Sequence, residues 1–165
     1  MLKRPFLGLL LLAAATFACN RAFGADQREA CPTTRPPDPP FVPPPPYPTD
    51  LGSGTFWYGS ESLWTTLELG GTWKCTSRCV ERLMYWRRGY NWRTEPEPQL
   101  TVTARRLDRK VPSVTFHGGT NFFVLGQYGR TAAMMSGIDI PTAGCWEVTA
   151  RYRGDTLSFI VSVEP

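Results

Sequence analysis

From Leu51 onward, apolar and polar residues alternate with period two, and turn residues recur at short intervals. Leu63, Thr65, Leu67 and Leu69 alternate with Trp64, Thr66 and Glu68 before a Gly70-Gly71 turn. Leu100, Val102 and Ala104 alternate with Thr101, Thr103 and Arg105, and Val114 with Phe116 marks a short strand ended by Gly118-Gly119. Ile138 and Ile140 precede a tight Pro141–Gly144 connection. Trp146, Val148, Ala150 and Tyr152 then alternate with Glu147, Thr149 and Arg151, and Leu157, Phe159, Val161 and Val163 follow after Gly154-Asp155. No segment carries a sustained 3.6-residue stripe. The pattern predicts an all-β domain over residues 51–165: an immunoglobulin-like antiparallel β-sandwich whose strands bury one face and leave the other in water. Trp146 then stands where such domains often open their penultimate strand with an aromatic residue.

Residues 25–50 read differently. Ten prolines fall between Pro32 and Pro48, including Pro43 to Pro46. Without amide donors, and with φ fixed, this arm cannot be a helix or a central strand. Its expected form is polyproline II, a semi-rigid spacer of roughly 50 Å if freely extended. Ahead of it, Lys3 and Arg4 followed by the uncharged stretch Pro5–Ala18 read as a secretory signal, too short for a permanent span. Ala22-Phe23-Gly24 suits an ordinary signal peptidase, giving a signal of 1–24. Thr16-Phe17-Ala18-Cys19 suits lipoprotein processing, giving a signal of 1–18 and lipid on Cys19.

Either cut leaves Cys31, Cys75, Cys79 and Cys145, an even set that outside the cytoplasm argues for disulfides. Parity along 145–152 puts Cys145 opposite in sense to the inward Trp146. A thiol there can reach a segment laid over the outside of the sandwich, and the arm is the candidate. The expected pairs are therefore Cys31–Cys145 and Cys75–Cys79, with the arm strapped to the domain.

Cys31-Pro32 before a proline-rich arm, Arg105-Arg106-Leu107-Asp108 at a strand end and Gly144-Cys145-Trp146-Glu147-Val148-Thr149 near the C-terminus together resemble a group of small uncharacterised exported bacterial proteins. The likeness spans residues 31–163 and implies the fold and export; no activity comes with it. Cys75 and Cys79 depart from that group.

Removing the longer signal leaves 15 basic and 14 acidic residues, and the charge is polarised: residues 74–110 carry 10 basic and 4 acidic side chains. A nearly neutral exported chain is not expected to bind nucleic acid. His117 is the one histidine; with Cys145, Met134 and Met135 it falls one imidazole short of a blue-copper set, and Cys75-x-x-x-Cys79 lacks a second zinc pair. No metal, cofactor or catalytic site is expected, and Glu95 and Glu97 lie in a proline-spaced loop. The segment with chemical character is Tyr85–Arg93. Trp86, Arg87, Arg88, Tyr90, Trp92 and Arg93 there combine rings with guanidinium groups and suit an anionic glycan or an envelope lipid surface. The competing reading packs Trp86 and Trp92 inward under arginine stems. The expectation is a non-enzymatic binding or structural module of the cell envelope, held on the outer face of a membrane by lipid if Cys19 is acylated. The alternatives are an enzyme acting on envelope polysaccharide and a secreted ligand-binding or inhibitor protein.

Overall fold

The computed structural model describes residues 30–52, 54–75, 79–124 and 131–165, so both processing sites and Cys19 lie outside the described residues. Within these residues every regular element is a strand. They are β1 (Thr55–Ser60), β2 (Leu63–Glu68), β3 (Thr72–Lys74), β4 (Cys79–Trp86), β5 (Thr101–Arg106), β6 (Val114–His117), β7 (Thr120–Val124), β8 (Thr131–Ile140), β9 (Gly144–Tyr152) and β10 (Asp155–Glu164). Two five-stranded sheets form a β-sandwich, one ordered β1-β2-β4-β8-β7 and the other β3-β10-β9-β5-β6. All pairings are antiparallel except β3 with β10.

Period two builds the core between the sheets. Trp146, Val148, Ala150 and Tyr152 of β9 lie beside Phe159 and Val161 of β10, and face Tyr85, Met134 and Ile138 of the other sheet; all are buried. Gly144 opens β9 at φ 146°, and a Cβ there would stand 2.5 Å from Nη2 of Arg106. That guanidinium holds Asp108 through Nε (2.6 Å) and Nη2 (3.1 Å), gives Nη1 to Thr142 (2.9 Å), and lies 5.9 Å from the Trp146 ring. The Arg-Arg-Leu-Asp and Gly-Cys-Trp segments thus meet as one lock between the end of β5 and the β8–β9 turn.

Cys145, at that lock, is bonded to Cys31, and Cys75 is bonded to Cys79. Beyond Cys31 the arm continues along the free edge of β10, where Thr34 N–H donates to Ile160 (2.9 Å) and Thr34 Oγ1 accepts from Ile160 N–H (2.8 Å). It then crosses to the other sheet.

One expectation is corrected here. The outer face of the β1-β2-β4-β8-β7 sheet is only partly in water, because Trp57, Trp64, Trp86 and Ala133 form a second buried cluster there. The arm is held to the domain by the Cys31–Cys145 bond, and Phe41, Tyr47 and Leu51 pack on that cluster. The Tyr47 ring stands edge-on to three indoles, at 6.0 Å from Trp57, 5.3 Å from Trp64 and 6.3 Å from Trp86. Trp57 Nε1–H donates to the Pro48 carbonyl at 2.8 Å.

Candidate functional site

β4 runs through Trp86, and this alone divides the expected Tyr85–Arg93 patch. Directly opposite Trp64 in the ladder, Trp86 lies fully buried under the arm, so it is removed from any binding surface. Arg87 is half-buried; it pairs with Asp155 at 3.2 Å and lies 5.7 Å from the Tyr152 ring. Arg88 is exposed and pairs with Glu61 at 2.5 Å. Tyr90 turns inward against the core, donating to the Glu95 carbonyl (3.1 Å) and to Oδ1 of Asn121. Burial, followed by the Glu95 charge, pushes its hydroxyl up to about 12.

Glu95 is structural as well. Its Oε2 accepts from Tyr152 (2.5 Å) and from Arg153 (2.6 Å). Burial and that bond hold the Tyr152 hydroxyl well above the ordinary phenol range.

What remains outward is the tip of the 87–99 loop. The guanidinium of Arg93 stacks 4.5 Å from the Trp92 ring, and Trp92 lies 6.0 Å from Phe123 of β7. Asn121 Nδ2 fixes the tip by donating to the Trp92 carbonyl at 2.7 Å. Trp92 is 36% exposed and Phe123 47%. Phe122, 42% exposed, takes the opposite face of β7, on the side of the tryptophan cluster. Sequence inspection missed both phenylalanines; Asn121-Phe122-Phe123-Val124 lacks the polar alternation that marks a half-wet strand.

A second concavity lies at the other side of the same sheet. β2 and β4 pair at only two positions, Trp64 with Trp86 and Thr65 with Tyr85. At the second of them the Thr65 hydroxyl donates to the Met84 carbonyl at 2.7 Å, and beyond it a groove of about 490 Å³ is lined by Thr66, Glu68, Trp73, Glu81 and Met84 among others. Burial, then the neighbouring Glu68 charge, raises the Glu81 carboxyl above its ordinary value.

His117, on edge strand β6, is exposed and within 3.4 Å of Thr101. Met134 is buried in the core, and Cys145 is committed to its disulfide. Among the described residues one group of three candidate metal ligands does gather, Cys75, Cys79 and Glu81, and its two sulfurs are bonded to each other. Compared with models of protein families, with curated proteins and with solved structures, the chain matches none of them.

Proposed function

We propose that this chain is a non-enzymatic, immunoglobulin-like binding module of the bacterial cell exterior, which rests on anionic envelope surfaces through the Trp92–Arg93–Phe123 tip. Two disulfides suit an oxidising compartment. Trp146 near the start of β9, just after a tight corner, supports the immunoglobulin-like description.

One observation carries the binding site. Arg93 has no carboxylate partner among the described residues, and its charge is spread over an exposed indole beside an exposed phenylalanine. Guanidinium groups bind phosphate and carboxylate as forks, while rings of this kind settle at lipid headgroups or against sugar faces. Both sources share one chemistry, an anion beside an apolar surface.

The test is adsorption of the purified chain to vesicles with and without anionic lipid, and in parallel to an acidic polysaccharide. Arg93→Ala combined with Trp92→Ala is expected to lower adsorption at least fivefold while leaving the melting temperature nearly unchanged, since exposed side chains contribute little to stability. Whichever support binds the native chain names the source. Equal adsorption by native chain and variant, or none to either support, overturns the reading.

A further inference from the structure

Along β4 the residues that face the core are Cys79, Glu81, Leu83 and Tyr85, alternate positions on one side of a strand. Glu81 sits directly opposite Ile138, which is itself in the core. A half-buried carboxylate in that row stands out, because partial burial of a charge carries a cost unless a partner compensates it. No hydrogen bond or ion pair among the described residues involves the Glu81 side chain. What surrounds it instead is sulfur: the Sγ atoms of Cys75 and Cys79 and a carboxylate oxygen of Glu81 all lie within 4.8 Å of one another. Cys75 comes from the end of β3, whereas Cys79 and Glu81 are two apart on the same face of β4. The groove between β2 and β4 reaches Glu81 from solvent, and Lys74 and Arg82 line it beside Glu68.

We propose that Cys75, Cys79 and Glu81 form a redox-gated site for one thiophilic divalent cation, best fitted to zinc. With the two sulfurs bonded to each other the site is closed. A dithiol reductant opens it by exchange: the reductant becomes a disulfide, and the Cys75–Cys79 bond becomes two thiols. The cation then displaces one proton from each thiol and binds two thiolates and the Glu81 carboxylate, with water entering the fourth tetrahedral position through the groove. Tetrahedral zinc–thiolate geometry sets two sulfurs about 3.8 Å apart. The Cα atoms of the pair stand 5.0 Å apart, so rotation of the side chains suffices and the backbone stays in place. Thiolate donors select zinc over magnesium or calcium. A ligand set of Cys, Cys and Glu also explains why histidine is not needed: His117 lies on an edge strand of the other sheet.

The test titrates the full chain with cobalt(II), whose thiolate charge-transfer band reports sulfur ligation, and then with zinc to displace it. Both the oxidised and the reduced chain are measured. A partly reduced fraction with Cys31–Cys145 intact, mapped by differential alkylation, is titrated alongside, so that loss of fold on full reduction cannot hide the site. One equivalent is expected to bind the reduced and partly reduced chains and none the oxidised chain. Cys75→Ser is expected to abolish the charge-transfer band, and Glu81→Gln to weaken zinc at least tenfold without lowering the melting temperature, because it removes an uncompensated charge. Cys31→Ser should leave binding as it was. No stoichiometric binding after mapped reduction, equal affinity in Glu81→Gln, or loss of binding in Cys31→Ser overturns the proposal.

Discussion

Single side chains show where sequence inspection had a handle and where it had none. The inward row Trp146, Val148, Ala150, Tyr152 was legible because one face of β9 is apolar and the other carries Glu147, Thr149 and Arg151. Trp86 was not, since both faces of its strand end up covered, Tyr85 inward and Trp86 under the arm; a run buried on both sides has no period to read. Glu95 misled in the same way: its proline-spaced setting reads as solvated loop, yet it is the acceptor for Tyr152 and Arg153. These tyrosines carry a pH prediction. Burial raises the hydroxyls of Tyr47, Tyr85, Tyr90 and Tyr152 above their ordinary value of 10.0, that of Tyr90 to about 12. In the unfolded chain they lose protons from about pH 10. The folded state binds more protons above that point, so stability is full below pH 10 and falls as pH rises toward 12. Melting temperatures recorded from pH 8 to 12 should drop in that window, with part of the phenolate absorbance appearing only on unfolding. A flat profile there would contradict the burial of these hydroxyls.

At the scale of elements, the strands found by alternation are β2, β5, β6, β9 and β10; in β5, β9 and β10 one face is buried and the other wetter, while β2 was found by its leucine row although Trp64 lies buried on its outer face. β1 and β4 were hidden by the tryptophans on their outer faces, β3 by its three residues, and β7 and most of β8 by apolar runs without polar alternation. The arm was the least legible element of all. Its composition forbids helix and central strand, but composition says nothing about what it lies upon. Tyr47 makes the contact testable, because its ring touches three indoles and Trp57 is bonded to the neighbouring Pro48. Tyr47→Ala should cost about 2–4 kcal/mol, somewhat under the roughly 3–5 kcal/mol for truncating a fully buried aromatic residue, since Tyr47 is half-buried. Chemical denaturation monitored by tryptophan fluorescence checks this. A loss under about 0.5 kcal/mol, typical of a surface substitution, would mean that the arm merely rests on the sheet.

For the whole molecule, the Cys31–Cys145 bond spans 114 positions of sequence, and its consequence is mechanical. Suppose tension is applied between the N-terminal side of Cys31 and the C-terminus. The force does not enter through the arm; it jumps across the sulfur bridge to the start of β9 and leaves through the end of β10. Cys145 and Ser162 are paired neighbours at that end of the hairpin, so β9 and β10 are pulled apart like a zipper, one ladder rung at a time. Everything between residues 31 and 145, the arm and its tryptophan bed included, lies off the load path. The oxidised chain can therefore lengthen only by the segments outside the loop, while the reduced chain releases about 400 Å more, at about 3.5 Å per residue. Single-molecule stretching with and without reductant measures that difference, and equal contour lengths would mean that the bridge is not the strap. As a mechanical object, the chain is a short fuse, the last hairpin, with a body hung beside it that does not feel the pull.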